Sequence, residues 1–356
     1  AAATGPAQPG MCGVLRTDAG SAASGSRPLA HGGAMTQPIP LRSGAQLLPS
    51  PAPLLRAHDM HRPDLALRRG DIVRVHRGVY APALAWQTLP PWDRYLTRVH
   101  AVALLMPDAV FALESAAALR GIPLVGEAAE VHVLRGAEGT SRQAERVRVH
   151  TCRGGVEVTG EGGILTTGPI ETAVALARVR NPALGLSIAD ATLRAHPDLS
   201  PEVLVAHNEL APSSRGRRLA RWALHRADPR AETTLESLSR AAIEWLGFAA
   251  PELQWLVRGG AAVADRADFA WPDIGAVGEA DGLLKYDGRF GDPVRAVQDE
   301  KRREDRIRRR VHGFARWGWA DVREPERLGA ILDAAGVRRE RAPDALALHA
   351  LARLLR

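Results

Sequence analysis

The stretch Asp268-Phe-Ala-Trp-Pro-Asp-Ile-Gly-Ala-Val-Gly-Glu279-Ala-Asp281-Gly-Leu-Leu-Lys285 decides the fold of the C-terminal part of this chain. A Pro-Asp-Ile-Gly turn separates two apolar runs, which predicts two short strands joined in a hairpin. With a two-residue loop at Asp273 and Ile274, Asp268 falls directly opposite Glu279. The pattern therefore predicts two carboxylates that face each other across neighbouring strands.

Opposed side chains in this register have Cβ atoms ~4.5–5.5 Å apart, and like charges there are destabilising. A hard cation between Asp268 and Glu279 would remove the repulsion, and Mg²⁺ (or Mn²⁺) is held by carboxylates of this kind. The alternative is a different register with both acids solvated. The same register places Asp281 opposite Arg266, so Asp281 is either a third metal ligand or one half of a cross-strand ion pair.

The composition indicates a globular protein with a polyanionic partner. The 356 residues are 46% hydrophobic, which allows two or three domains with cores of their own. No apolar run reaches the length of a membrane span, and the first residues lack the pattern of a secretory signal, so we expect a cytoplasmic protein. The net charge of +7 favours a nucleic acid as the partner.

Residues 1–45 are rich in Ala, Gly, Ser and Pro and are predicted to be disordered. Residues 46–82 have the pattern of a winged helix-turn-helix, with helices at Gln46–Leu55 and Pro63–Arg69 followed by a basic two-stranded ribbon. Four arginines of this region are predicted to contact DNA phosphates: Arg68, Arg69, Arg74 and Arg77. The alternatives are solvated arginines or a protein-interaction module.

Residues 93–225 are predicted to form a small α/β middle domain. It contains a helix at Asp93–Met106, strands at Val110–Leu113, Val131–Leu134 and Arg146–Thr151, a short helix ending at Gly121, and a helix that opens at Gly168-Pro169.

Three segments resemble AbiEi-family antitoxin-like proteins of actinobacteria. They are Arg74-Val-His-Arg-Gly-Val-Tyr80, Glu114-Ser-Ala-Ala-Ala-Leu-Arg-Gly121 and Leu165-Thr-Thr-Gly-Pro-Ile-Glu-Thr-Ala173. The resemblance covers about residues 46–225. It implies a winged-helix transcriptional regulator with a cognate type IV toxin as its partner.

Residues 228–338 are predicted to form a third domain, followed by a C-terminal helix in 339–356. An amphipathic helix at Thr233–Phe248 precedes strands at Glu252–Val257, Ala262–Trp271 and Gly275–Asp281. A long basic helix then starts at Pro293, with Ile307, Val311 and Phe314 as its apolar stripe. A strand near Ala315–Ala320 and helices from Pro325 onward complete the domain.

This order of elements and five segments resemble the very-short-patch-repair-like branch of the PD-(D/E)XK endonucleases. The segments are Thr234-Leu-Glu-Ser-Leu-Ser-Arg240, Asp268-Phe-Ala-Trp-Pro, Glu279-Ala-Asp-Gly282, Lys285-Tyr and Glu300-Lys-Arg-Arg-Glu-Asp305. The resemblance implies Glu236, Asp268 and Glu279 as metal ligands. A capping box formed by Thr233 and Glu236 is the alternative role for Glu236.

The chain departs from that family where its third motif has an acid, one residue and then lysine, because Asp281 occupies the lysine position. Only two of the 47 basic residues are lysines, Lys285 and Lys301. Either of them supplies the catalytic ammonium from another position, or the site binds metal without cutting. Arg302 and Arg303, in the run that follows Lys301, either bind the DNA backbone or form a solvated face.

The sequence thus predicts a multidomain α/β protein that binds DNA and hydrolyses phosphodiester bonds with Mg²⁺ or Mn²⁺. The alternative is an antitoxin-type transcriptional regulator whose endonuclease-like domain is catalytically inactive and serves as a relic or a dimerisation unit. The expected partners are DNA, a second copy of the chain in a homodimer and a cognate toxin; a membrane is not expected.

Overall fold

The structure is a computed structural model that describes residues 14–16, 47–126, 128–135, 142–151, 155–257, 265–282 and 293–356. For 14–16, 142, 144 and 293–300 it describes the main chain alone. The chain is a mixed α/β protein that divides into two compact units. Unit 1 lies within residues 1–121 and 129–168, and unit 2 within 122–128 and 169–356. The division falls at Gly168, inside the range 93–225 that was predicted as one middle domain.

Unit 1 combines four helices with ten strands among its described residues. The helices are α1 (Pro63–Arg69), α2 (Ala83–Gln87), α3 (Pro91–Leu105) and α4 (Leu113–Leu119). The strands are β1 (Val14–Arg16), β2 (Leu55–Arg56), β3 (Ile72–His76), β4 (Val79–Pro82), β5 (Val110–Phe111), β6 (Val131–Arg135), β7 (Arg142–Ala144), β8 (Val147–Thr151), β9 (Val156–Glu161) and β10 (Ile164–Thr167).

These strands form two sheets in unit 1. The smaller sheet has the order β2-β4-β3, and its hairpin turns at Arg77-Gly78, where Gly78 has a φ of 73°. The larger sheet has the order β1-β9-β10-β5-β6-β8-β7. The ribbon, helix α3 and strands β5, β6 and β8 confirm the predicted elements within one or two residues.

Two expectations for unit 1 are wrong, and one hairpin was missed. Residues 47–54 are not helical, and the chain there leads into the short strand β2. The hairpin of β9 and β10 was not predicted. Val14–Arg16 pair in parallel with β9, although 1–45 were predicted to be disordered. The rest of that segment lies outside the described residues.

Unit 2 begins with helices and continues into a four-stranded sheet with helices of its own. Its helices are α5 (Pro169–Val179), α6 (Pro182–Ala195), α7 (Pro201–Leu210), α8 (Arg217–Leu224), α9 (Thr234–Trp245), α10 (Pro293–Arg308), α11 (Trp319–Arg323), α12 (Pro325–Ala334) and α13 (Ala345–Leu354). Its strands are β11 (Glu252–Val257), β12 (Asp265–Trp271), β13 (Ala276–Asp281) and β14 (Gly313–Gly318).

The four strands of unit 2 form one sheet in the order β11-β12-β13-β14. The first three strands pair antiparallel, and β14 runs parallel to β13, so that α10 is the crossover between them. Helix α9 packs its predicted apolar stripe into the core, where Phe269 and Trp317 lie with ring centroids 5.1 Å apart. The predicted order of helix, three strands, helix and strand is confirmed.

The long basic helix ends earlier than predicted. Helix α10 stops at Arg308, and Phe314 lies in strand β14 instead of a helical stripe. Ile307, Val311 and Phe314 still belong to one apolar cluster, because the turn after α10 brings the start of β14 back against the sheet. The spacing of the three residues fits a helix as well, which explains the wrong prediction.

A buried ion pair joins α6 to α9. Asp190 is fully buried, and its carboxylate accepts hydrogen bonds from Arg240 Nη1 at 2.9 Å, from Ser237 Oγ at 2.7 Å and from the main-chain N–H of Asp228 at 2.7 Å. Burial raises the pKa of Asp190 to about 6, against the opposing effect of Arg240. The sequence analysis assigned no partner to Asp190, because the two helices are about 50 residues apart.

We expect Asp190→Ala to lower the free energy of unfolding by about 3–5 kcal/mol, because it leaves the guanidinium of Arg240 without its carboxylate in a buried position. Urea unfolding at pH 7.5 measures the loss. The matched control is Asp333→Ala, which removes an exposed ion pair with Arg339 and should cost less than about 1 kcal/mol. Equal losses in the two variants would contradict this account of the buried pair.

Candidate functional site

The hairpin of β12 and β13 has the predicted register. Trp271 pairs with Ala276, and Phe269 pairs with Gly278, so the next position along places Asp268 opposite Glu279. The connection is longer than two residues: Pro272–Ile274 form a turn of 3-10 helix and Gly275 adopts a φ of 62°. That left-handed conformation favours glycine.

Asp268 reaches across the hairpin. Its Oδ2 accepts a hydrogen bond of 2.9 Å from the main-chain N–H of Ala280, which lies next to Glu279 on β13. The carboxylate is thus fixed by the main chain of the neighbouring strand. This contact ties the position of the Asp268 side chain to the strand that carries Glu279 and Asp281.

Glu236 lies in the first turn of α9 and is 3% exposed. The capping interaction is present, because Thr233 Oγ accepts from the N–H of Glu236 at 3.2 Å. The Glu236 carboxylate accepts from three other donors: Thr233 Oγ at 2.9 Å, the N–H of Glu232 at 2.9 Å and Gln254 Nε2 at 3.0 Å. The capping role therefore coexists with a buried carboxylate beside the sheet.

The carboxylates of Glu236 and Asp268 lie within electrostatic range of each other. Burial raises the pKa of Glu236, and the negative charge of Asp268 raises it further, against the hydrogen bonds that Glu236 receives. Two acids from different elements, α9 and β12, are thus brought together. Perturbed acids of this kind are more frequent at functional sites than on ordinary surfaces.

Glu279 is bound by an arginine of α10. Arg303 donates from Nη2 to Oε2 at 2.6 Å and from Nη1 to Oε1 at 3.3 Å, and its Nη1 also donates to the main-chain oxygen of Arg266 at 2.7 Å. Glu279 itself is 7% exposed. The opposed acids Asp268 and Glu279 need a positive charge nearby, and at Glu279 the guanidinium of Arg303 supplies it. Arg303 was predicted to contact DNA, and the structure places it against the sheet.

Asp281 has a different partner from the one predicted. Its ion pair is with Arg316 at 2.6 Å, whereas Arg266 pairs with Glu232 at 2.8 Å. The predicted ion pair between Asp281 and Arg266 is therefore wrong. Arg316 lies on β14, the parallel neighbour of β13, and it also binds Glu304 at 2.5 Å. No local pattern in the sequence indicates that β14 adjoins β13.

Two further arginines hold α10 on the sheet. Asp265 at the start of β12 is buried and binds Arg306 at 2.7 and 3.1 Å and Arg310 at 3.3 Å. The hydrogen bond from Arg306 is the largest of the effects that hold the pKa of Asp265 below its usual value. Arg303 and Arg306 are three residues apart, so they share one face of the helix. The sequence gives no local signal for this contact, because Asp265 and Arg306 are 41 residues apart.

The structure describes only one of the two lysines, Lys301. Lys285 lies outside the described residues. Lys301 is exposed on α10, and at ~100° per residue it points to the side of the helix opposite Arg303. Arg302 is also exposed. In the described ranges, no three His, Cys, Asp or Glu side chains converge closely enough to hold a metal ion.

The four predicted DNA contacts of unit 1 are on its surface. Arg68 and Arg69 end helix α1, and Arg74 lies on β3; all three are exposed. Arg77 sits at the hairpin turn and makes an exposed ion pair of 3.4 Å with Glu145. A helix end and a hairpin thus present guanidinium groups to solvent.

Comparison with known proteins places the chain in a mycobacterial family. Two uncharacterized proteins of Mycobacterium tuberculosis, MT2308 of strain CDC 1551 / Oshkosh and Rv2248 of strain ATCC 25618 / H37Rv, are each 33% identical over 246 residues. The alignment covers 67% of this chain and 83% of each relative. The chain belongs to their family. The aligned length exceeds that of either unit, so the similarity includes parts of both.

No family model matches the chain. Within the described part, no helix is both long and apolar enough to cross a membrane.

We expect Asp268→Asn to lower the pKa of Glu236, because the substitution removes the negative charge that favours the protonated form. Selective ¹³C labelling of glutamate carboxyl groups, with Glu236→Gln to assign the signal, measures the change by NMR titration. Glu209 serves as the internal control, because its pKa of about 2 is set mainly by Arg221. An unchanged titration of Glu236 would show that the two carboxylates do not interact.

Proposed function

We propose that unit 2 hydrolyses phosphodiester bonds of DNA with the help of Mg²⁺ or Mn²⁺. The observation that carries the proposal is the buried acid of the first helix, Glu236, whose pKa is raised by burial and raised further by the negative charge of Asp268 on the second strand. Such an arrangement is costly for a protein without a cation. The order of α9, β11–β13, α10 and β14 also supports the resemblance to PD-(D/E)XK endonucleases.

Carboxylate oxygens are the donors that a hard divalent cation prefers. Asp268, Glu279 and Asp281 offer them from two adjacent strands, and Glu236 offers another from α9. No three acids converge on one point among the described residues, so two of them would hold the cation and water and phosphate oxygens would complete its coordination. At Glu279 and Asp281 a cation would also have to displace the bound guanidinium. A bound Mg²⁺ would neutralise charge on the phosphate and lower the pKa of the attacking water.

The protein's own residues have separate roles in this proposal. Asp268 and Glu279 would hold the cation, and Glu236 would orient a water beside it. A lysine would orient the attacking water as an ammonium, or deprotonate it as a neutral amine. Lys285 is the better candidate for this role, because Lys301 points to the side of α10 opposite Arg303, the residue that binds Glu279. Arginine cannot serve as this base, because it stays protonated. The arginines of unit 1 bind phosphates and bring the chain to DNA.

We expect the full chain to nick supercoiled plasmid DNA with Mg²⁺ and to stop when EDTA is added. Asp268→Asn and Glu279→Gln should each lower the rate at least ~100-fold, because metal catalysis supplies several kcal/mol and ~1.4 kcal/mol corresponds to a factor of ten. Asp333→Asn, remote from the site, should cut at the wild-type rate. Cleavage that persists in Asp268→Asn would contradict the proposed site.

The ion pair of Glu279 with Arg303 favours a second candidate function. A guanidinium bound to a predicted ligand suits a protein that binds DNA without cutting it, as in an antitoxin-type regulator with an inactive endonuclease-like domain and a cognate toxin. In that case the arginine is a permanent structural partner. In an active enzyme it competes with the cation for Glu279.

We expect Arg303→Gln to bind Mn²⁺ several-fold more tightly than the wild type, because the substitution frees Glu279 of its competing charge. Isothermal titration calorimetry without DNA measures this. Arg308→Gln is the matched control: Arg308 lies on the same helix and pairs with Glu304 at an exposed position. Weaker or unchanged binding in Arg303→Gln would favour the regulator.

We also expect Arg74→Ala combined with Arg77→Ala to reduce the salt dependence of DNA binding by roughly one to two counterions. The measurement is fluorescence anisotropy of a labelled duplex at several salt concentrations, with Arg339→Ala as a control on unit 2. If the slope stays at the wild-type value, the ribbon does not contact phosphates and is better explained as a protein-interaction surface.

A further inference from the structure

Gln254 has an unusual main chain in the middle of a strand. It lies in β11, the edge strand of the sheet of unit 2, and its φ is 54°. The residues on both sides stay in register with β12, since Leu253 pairs with Phe269 and Trp255 with Ala267. A residue with a Cβ atom is strained in this left-handed conformation, and such strain persists at positions where the surrounding contacts require it.

The strained residue lies beside the two acids of the candidate site. The pairings on either side place Gln254 opposite Asp268 on β12. Its Nε2 donates to Oε2 of Glu236 at 3.0 Å. The side chain thus connects the edge strand β11 with helix α9, at the strand position opposite Asp268.

The other end of the same amide is unsatisfied. Oε1 of Gln254 is buried and has no hydrogen-bond partner among the described residues. A buried acceptor without a donor is unfavourable, and proteins rarely keep one. The bond from Nε2 to Glu236 prevents the amide from exchanging its two ends, since a carboxylate accepts hydrogen bonds and repels an amide oxygen. Oε1 is therefore held beside acids that cannot satisfy it when ionised.

A hard cation or its water would satisfy this oxygen. Amide oxygens are ordinary ligands of Mg²⁺ and related ions, either directly or through water. A neutral oxygen also adds a ligand without a further negative charge next to Glu236 and Asp268. A third carboxylate at this position would increase the repulsion that already raises the pKa of Glu236.

We propose that Gln254 is a positioning residue for a divalent cation: Nε2 fixes the carboxylate of Glu236, and Oε1 supplies a neutral oxygen to the cation or to its hydration water. This inference rests on the proposed metal-dependent function of the same site. It assigns a role to the strain at φ 54°, because it is in this conformation that the amide of Gln254 binds Glu236 of α9.

Titration of the full chain with Mn²⁺ alone, by calorimetry and by the EPR signal of free Mn²⁺, tests the inference without DNA or catalysis. Gln254→Met removes both polar atoms at similar size and should weaken Mn²⁺ binding about tenfold or more, as for other residues that support metal ligands. Gln87→Met, at an exposed position of unit 1, should bind as the wild type does.

Gln254→Gly separates positioning from a structural role. Glycine adopts a φ of 54° without strain but lacks the amide that binds Glu236, so this variant should bind Mn²⁺ as weakly as Gln254→Met although its main chain is relaxed. If Gln254 served only to set the main chain of β11, the glycine variant would keep the wild-type Mn²⁺ affinity. That result would overturn the inference.

The remaining outcomes distinguish this inference from the proposed function. Wild-type nicking with equal Mn²⁺ affinity in all variants overturns the role of Gln254 and leaves hydrolysis intact. Weakened binding in both Gln254 variants, with no nicking by the wild type, supports the role of Gln254 and refutes hydrolysis. A wild-type chain that binds no Mn²⁺ overturns both.

Discussion

The concentration of negative charge on one sheet is the constraint on which unit 2 depends. Asp265, Asp268, Glu279 and Asp281 lie on two adjacent strands, and Glu236 approaches from helix α9. Three of these acids, Asp265, Glu279 and Glu236, are buried, and buried carboxylates are tolerated only with positive partners or strong donors. The arginines of α10 and β14 supply those partners at Asp265, Glu279 and Asp281, and they also hold the crossover helix against the sheet.

Glu236 differs from Asp265, Glu279 and Asp281 in its described hydrogen-bond donors. The bonds to Glu236 come from a hydroxyl, a main-chain N–H and an amide. Neutral donors stabilise a carboxylate less than a guanidinium does. Burial raises the pKa of Glu236, and its neutral donors do not offset this effect, whereas the hydrogen bond from Arg306 lowers the pKa of Asp265.

The sequence was sufficient where local patterns determine structure. The turn between β12 and β13 and the alternation around it predicted the pairing that opposes Asp268 and Glu279, and the amphipathic pattern of α9 predicted a helix packed on the core. It was insufficient where contacts join distant segments. Arg316 reaches Asp281 only because β14 adjoins β13, and the inward face of α10 depends on the crossover. The conformation of Gln254 has no signal in residue type, since glutamine rarely adopts a positive φ.

The parallel pairing of β13 with β14 affects the order in which this part of the chain can fold during synthesis. The hairpin of β12 and β13 is local in sequence and can form early, whereas Arg303 and Arg316 follow it in the chain and reach their carboxylates only after the crossover is complete. On the ribosome, the N-terminal part emerges first. The acidic hairpin is therefore synthesised before its arginines, and its charges can be held by solvent ions until the C-terminal strand joins the sheet.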